Sequence, residues 1–540
     1  MRKRSISLIL ALCMLLTCAI STCATVFAAD VDTSDTGADY GLGKTCKDGN
    51  ILHCFNWTLE QIKAELPAIA EAGFTSIQTS PLQAHDGRNQ WYWLYQPTGF
   101  TIGNELGSYD ALKSLCSEAD KYGIKIIVDV VANHVAGSNS GTLANSVESV
   151  FKNNKTTYFH NMGACNNYDN RYDVINKNIG MPDLNSENTA VQDMVIAMVE
   201  KYKEAGVDGI RWDAAKHIGL PSENSSFWSR MAQIDIFQYG EILGKPAGSD
   251  PTADNNELIN EYAQYISVTD SGYSGDFLTA VKNGNIFRTQ GGWTRQGVAA
   301  DKVVYWGESH DTYSNTDGNT KNVDQNKIDR AYAILGARAD SQALYFSRPS
   351  EKEHTKIYYG VKGSTHFTSK EVAAVNRFHN AMIGTNEKFS SNGGCYVVLR
   401  DRGAVIVSMK SSDVDISVNN SDKMVPVGTY TDEVSGSTFT VTDTKITGHI
   451  GSSGIAVIYG SAPAVEVLVG DTNLNEAIEI DDATLIQRHE AKMITLSADE
   501  QLAADADQDD KITVLDATAI QWYLAQLDYQ GSHVGETRSG

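Results

Sequence analysis

Gly209-Ile-Arg211-Trp-Asp213-Ala-Ala-Lys216-His217 is a short apolar strand that runs into a cluster of charge, and where such clusters fall decides the fold. Three other segments close in the same way: Asp129-Val-Val-Ala-Asn133-His134, Gly240-Glu241-Ile242 and Glu308-Ser309-His310-Asp311. Around them, between 51 and 349, apolar strands alternate with amphipathic helices such as 59–72 and 109–122, the pattern of a parallel β/α fold. Strands are expected at 51–57, 74–80, 124–131, 207–213, 237–242, 262–268, 303–306 and 343–347. A doubly wound sheet and a (β/α)8 TIM barrel both give this alternation. Only a barrel gathers every strand end around one mouth, so that polar termini far apart in sequence converge. Any one terminus alone reads as a satisfied structural group. Four together call for a site, and hence for a barrel.

Further out, the connection at 135–185 is too long for an ordinary loop and reads as an inserted subdomain. The catalytic barrel is expected over 45–368. From 369 to 461 short alternating strands (395–400, 404–409, 438–441 and 454–459) predict an antiparallel β-sandwich. An acidic tail follows over 466–528, with 15 acidic and 3 basic residues. The net charge of -23 argues against nucleic acid as a partner. It is compatible with an uncharged polymer without implying one. Residues 1–29 have a Met-Arg-Lys-Arg start, an apolar stretch over 6–20 and Val-Phe-Ala-Ala before Asp30, the layout of a secretory signal peptide. An uncleaved anchor is the alternative, disfavoured by the short apolar run. No later segment has the apolar length of an integral membrane helix, so a secreted, extracellular chain is expected. Outside the leader, Cys46, Cys54, Cys116, Cys165 and Cys395 are odd in number and show no zinc spacing. They read mostly as free buried thiols, with a Cys46–Cys54 bridge left open.

The four motifs, in this order and approximate spacing, resemble those of the alpha-amylase family of glycoside hydrolases. Met181-Pro-Asp183-Leu-Asn185 resembles the family's additional motif. Ile51-Leu-His-Cys-Phe-Asn-Trp57 and Trp91-Tyr-Trp-Leu-Tyr95-Gln96-Pro97 resemble secreted bacterial members, and the likeness runs over 45–460. It implies Asp213 as nucleophile, Glu241 as acid/base and Asp311 as the carboxylate that stabilises an oxocarbenium-like transition state. Retaining enzymes hold their two carboxyl groups about 5–5.5 Å apart. Arg211, two residues before Asp213 on a strand, is expected to keep Asp213 ionised and to sit with the substrate-binding residues. His134 and His310 are implied to bind sugar hydroxyls, Tyr95 to stack on a sugar, and Lys216 and His217 to contact the leaving-group side. Trp91 is either a second platform or buried packing. The family's structural calcium implies Asn133, Asp183 and the His217 carbonyl as oxygen ligands. Ser309 stands where chloride-binding members have Asn, so chloride activation is not expected.

The tail contains a repeat. Asp471, Asn473 and Asn475 lead to Asp482 at loop position 12, and Asp505, Asp507 and Asp509 lead to Asp516. Oxygen ligands at 1, 3, 5 and 12 describe an EF-hand-like calcium loop. Position 6, normally Gly, is Glu476 and Asp510 here. Two loops, each followed by one helix, are similar to a dockerin module, which implies a cohesin module on a scaffold or cell-surface protein as partner. The expectation is an endo-acting α-amylase that hydrolyses starch. The alternatives are another specificity of the family (neopullulanase-like, maltooligosaccharide-forming or transglycosylating) and a non-catalytic starch-binding component.

Overall fold

Every residue of Ile51–Cys54 and of Ser76–Thr79 is buried, as strands covered on both faces must be. These are β1 and β2 of a computed structural model that describes residues 40–242, 255–285, 298–409, 413–460, 466–494, 496, 498–509 and 511–539. Lys125–Val131 (β3), Gly209–Asp213 (β4), Phe237–Gly240 (β5), Ser267–Thr269 (β6), Val303–Trp306 (β7) and Gln342–Phe346 (β8) complete the set. All pair in parallel with their sequence neighbours, and β8 returns to β1 to close the barrel. The expected signal peptide at 1–29 lies outside the described residues.

A helix follows each strand: Leu59–Glu71 (α1), Tyr109–Asp120 (α2), Thr189–Glu204 (α3), Phe227–Met231 (α4), Asn255–Tyr262 (α5), Ser271–Asn283 (α6), Gln325–Gly336 (α7) and Lys370–Ala381 (α8). Local chemistry sets their starts. Thr58 and Gln61 form a reciprocal capping box at α1, and Ser108 caps α2. Two expected boundaries move. The strand predicted from 262 begins at Ser267, because Tyr262 ends α5 and turns its hydroxyl inward to the Ile218 carbonyl at 2.6 Å. The sandwich predicted from 369 begins at Glu387, because α8 belongs to the barrel. Asn376 and Asn380 of α8 donate to the carbonyls of Ala72 and Gly73, each at 2.9 Å.

Between β3 and α3 the inserted region has its own small core, built on Val135, Val147, Phe151, Phe159 and Leu184. The sandwich faces the sheet of Glu387–Asn392, Cys395–Arg400, Gly403–Ser408 and Ile455–Tyr459 against that of Val414–Asn419, Lys445–Ile450, Thr438–Val441 and Gly428–Thr431. Val397, Ile406, Val418 and Phe439 fill the space between them. Barrel and sandwich form one compact unit up to Tyr459. Arg338 of the barrel pairs with Glu387 at 2.8 Å across this boundary. Among the described residues Cys46, Cys54, Cys116, Cys165 and Cys395 are buried free thiols, so the Cys46–Cys54 bridge is absent.

Residues from Gly460 onward form a second unit. Helices Ile480–Glu490 and Val514–Leu524 pack around Ala483, Ile486, Ala517 and Ile520. Glu466–Leu468 pairs antiparallel with Thr537–Ser539, so this unit extends past the expected limit at Asp528. Among the described residues no helix is long and apolar enough to cross a membrane.

Candidate active site

β4 ends on Asp213, and the two-residue period of a strand turns Arg211 to the same side. The Arg211 side chain is 5% exposed and serves three carboxylates. Its Nη1 lies 2.9 Å from both Asp129 Oδ1 and Asp213 Oδ1, and its Nη2 lies 3.2 Å from Glu241 Oε2. Barrel register brings these groups together: Asp129 of β3 is level with Arg211, and Trp212 is level with Gly240, the residue before Glu241. Ala214 follows Asp213 with φ 49°, a left-handed conformation that costs a residue with a Cβ about 1–2 kcal/mol. Its N–H donates to Glu241 Oε2 at 3.1 Å. Asp311 lies in the first turn of the helix His310–Ser314, started by a capping box between Ser309 and Thr312. Asn315 donates to Asp311 Oδ1 at 3.0 Å.

Burial raises the Asp213 carboxyl above its ordinary value. Arg211 opposes the rise and Glu241 adds to it. Arg211 thus acts on Asp213 in the expected direction, against a larger influence from desolvation. Burial also raises Glu241, with Arg211 again opposing and Asp311 adding. Asp311 is raised by burial too, while Arg211 and then a hydrogen bond with Glu241 pull it back. A carboxyl raised by burial and a neighbouring carboxylate suits a general acid. Burial pushes His310 down to about 4, so it enters the site neutral.

The groups open into a cleft of about 580 Å³, lined among others by Trp91, Tyr95, His134, Lys216, His217 and His310. Asp213, Glu241 and Asp311 all reach it. Arg211 does not line it. Arg211 bridges the carboxylates and lines, with Glu241, His310 and Asp311, a second small cavity at the same site. Trp91 lines the cleft but is 4% exposed, with Phe55, Tyr95, His310 and His354 packed edge-on around it. Tyr95 stacks on His310 with centroids 5.3 Å apart, and its hydroxyl donates to Asp129 at 3.0 Å. His134 Nε2 lies 3.0 Å from the Tyr95 carbonyl. Sequence reading assigned no role to Asp129, to Asn315 or to Tyr168, an exposed aromatic on the cleft wall. Asn315, four residues after Asp311, had a helical-spacing signal; Tyr168 had none.

For the implied calcium, an antiparallel bridge pairs His134 with Asp183, and beside it the Leu184 N–H donates to the Asn133 carbonyl at 2.9 Å. Asp183 Oδ1 is buried without a hydrogen-bond partner, which fits a cation-binding oxygen. Its other oxygen accepts from His160 Nδ1 at 2.6 Å, and His160 Nε2 reaches Glu187 at 2.7 Å. Sequence reading missed His160 and Glu187. His217 turns its Nδ1 to the Val174 carbonyl at 3.0 Å. In the tail, carboxylate oxygens of Asp505, Asp507 and Asp509 lie within 4.8 Å of one another. Asp516 accepts the Ala506 and Thr513 N–H groups, and Asp482 accepts those of Asn473 and Glu479. Asp471 accepts those of Asn475 and Glu476. Both loops thus wrap backbone around inward carboxylates, and their oxygens fit a hard cation.

A sequence profile described as alpha amylase, catalytic domain, matches residues 57–271. An alpha-amylase of Clostridium acetobutylicum is 36% identical over 441 residues, covering 77% of this chain and 55% of that protein. One of Butyrivibrio fibrisolvens is 30% identical over 472 residues, covering 76% of this chain and 47% of that protein. The chain thus spans about half the length of these relatives. The crystal structure of alpha-amylase I from Eisenia fetida shares the fold, with a TM-score of 0.62 at 20% identity over 78% of this chain and 98% of that one. Barrel, converging carboxylates and sequence kinship agree: the chain carries a catalytic domain of the alpha-amylase family of glycoside hydrolases.

Proposed function

We propose that this chain is a secreted, endo-acting α-amylase that hydrolyses α-1,4-glucosidic bonds of starch with retention of configuration. The observation that carries this reading is the trio of Asp213, Glu241 and Asp311 around one cleft, two of them on a single buried guanidinium. Carboxylates that share one guanidinium lie close together, which favours the about 5–5.5 Å separation of retaining enzymes over the roughly 6.5–9.5 Å of inverting ones. Asp213 attacks the anomeric carbon, and Glu241 protonates the leaving oxygen and then activates water. Asp311 stabilises the charge that develops on the sugar. Tyr95, His134 and His310 bind the sugar that supplies the anomeric carbon, and Lys216 and His217 bind the leaving sugar. Calcium held through Asn133 and Asp183 ties the inserted region to the barrel.

The test follows products on soluble starch and pullulan, with anomeric form read by NMR, for wild type and Glu241→Gln. α-Anomeric maltooligosaccharides of mixed length, lost by about 10²–10⁴-fold in the variant, are expected. β-Anomeric products contradict retention. Preference for pullulan gives the enzyme a neopullulanase-like specificity, and starch binding without hydrolysis makes it a non-catalytic component.

The tail reads as a calcium-loaded dockerin that attaches the enzyme to a cohesin-bearing scaffold or cell-surface protein. Support comes from the duplicated loops and from Val514, Leu515, Trp522 and Tyr523, exposed apolar side chains on its second long helix. The full chain should bind cohesin modules in calcium and release them in EDTA. Retention in EDTA, or no binding across a cohesin panel, overturns this assignment.

A further inference from the structure

The inserted region grips the chain just after β4 at two points, both on the helix Arg171–Asn176. Arg171 donates its Nη1 to the Lys216 carbonyl. One turn later the Val174 carbonyl accepts from His217 Nδ1 at 3.0 Å. Lys216 and His217 both line the cleft, on the side opposite Tyr95 in the proposed reading.

The Arg171 guanidinium is itself clamped. Its Nε lies 2.7 Å from Glu223 Oε1 and its Nη2 lies 2.8 Å from Glu223 Oε2, a two-point contact. The same Nη2 donates to the Tyr262 hydroxyl at 2.8 Å, and that hydroxyl donates onward to the Ile218 carbonyl at 2.6 Å. Side-chain exposure is 14% for Arg171 and 20% for Glu223, so water screens the pair weakly. A planar fork bonded at both edges has little freedom, and a lysine could not reproduce the arrangement. The segment it holds needs an external anchor. Ala214 is left-handed, and Ala215–His217 is a single 3-10 turn. Tyr262 and Glu223 connect Arg171 to the barrel, so one guanidinium joins the inserted region, the outer barrel and the cleft wall.

We propose that Arg171 is a positioning residue that sets how Lys216 and His217 are presented to the leaving part of the substrate. The proposal rests on the reading of the cleft as an α-glucan hydrolase site. Arg171 is not among the residues lining the cleft, so its effect passes through the Lys216 backbone. Loss of the clamp should therefore penalise substrates whose leaving group is a sugar. Substrates that leave as a small aryl alcohol should suffer much less.

The test uses the full chain with calcium chloride in excess. It measures kcat and KM for maltoheptaose and for a nitrophenyl α-maltotrioside in wild type, Arg171→Met, Arg171→Lys and Glu223→Gln. The expected result is a fall of about tenfold in the maltoheptaose-to-aryl ratio of kcat/KM for Arg171→Met, carried mainly by KM. Glu223→Gln should move the ratio the same way, and Arg171→Lys should not restore it. If Arg171→Met does not fold, Glu223→Gln reads the same ratio. An unchanged ratio in a folded variant overturns the role of Arg171. A wild-type protein inactive on both substrates overturns the underlying functional reading instead.

Discussion

Arg211 gathers three buried carboxyl groups, Asp129, Asp213 and Glu241, around one guanidinium. Removing one member of a buried ionic cluster leaves uncompensated charge and costs about 3–5 kcal/mol. Arg211→Met should lower unfolding free energy by about that amount in denaturant titrations. It should also shift activity. Arg211 is the first influence opposing the raised Asp213 carboxyl, so its loss lets that pKa rise further. The nucleophile must be ionised, so the acid limb of kcat/KM should move to higher pH. An acid limb that stays in place in a folded Arg211→Met variant contradicts this electrostatic role. Asp213, Glu241 and Asp311 stood out in the sequence as polar residues of strand-end motifs, and their roles came from resemblance to the alpha-amylase family. Arg211 was legible as a cation near Asp213. Its burial among three carboxyl groups was not, since that depends on the depth of Asp129 on the neighbouring strand.

At the scale of elements, the first tail loop shows how a local departure is accommodated. Position 6 of that loop is Glu476, with φ 68°, in the left-handed region that favours glycine. A side chain there costs about 1–2 kcal/mol, offset in part by the entropy glycine would lose. Glu476→Gly should therefore raise the stability of the calcium-loaded tail by up to about 1 kcal/mol and tighten calcium binding by calorimetry. Weaker binding in the variant would show that the Glu476 side chain contributes to the site. Helix starts were similarly legible, because capping residues such as Thr58 and Ser108 act on their own turn. Ends governed by distant partners were not. α5 runs to Tyr262 because that side chain packs inward to Ile218, and α8 joins the barrel through Asn376 and Asn380.

For the whole molecule, acid sensitivity has an identifiable source on α8. Burial, helped by Arg400, pushes His379 down to about 4, and its Nδ1 lies 2.8 Å from the Gly336 carbonyl. Its folded pKa lies below the unfolded value of 6.5, so the unfolded chain takes up the proton first as pH falls. Stability from this group is present above pH 6.5 and is lost on the way down to about 4. His379→Asn keeps a donor near Gly336 and removes the titration. It should flatten the loss of stability across that window by up to about 1.4 kcal/mol per pH unit, read by chemical denaturation at stepped pH. An unchanged slope would assign the acid sensitivity elsewhere. The barrel, its order of motifs, the sandwich and the duplicated tail loops were all determined by sequence alone, because alternation, strand-end polarity and ligand spacing are local patterns. Tertiary structure alone decided that Arg211 bridges three carboxyl groups, that Trp91 is nearly enclosed by aromatic neighbours, that α8 packs on the barrel and that Arg171 reaches Lys216. Each of these depends on side chains meeting across elements distant in sequence, and no local pattern encodes which partner a buried side chain finds.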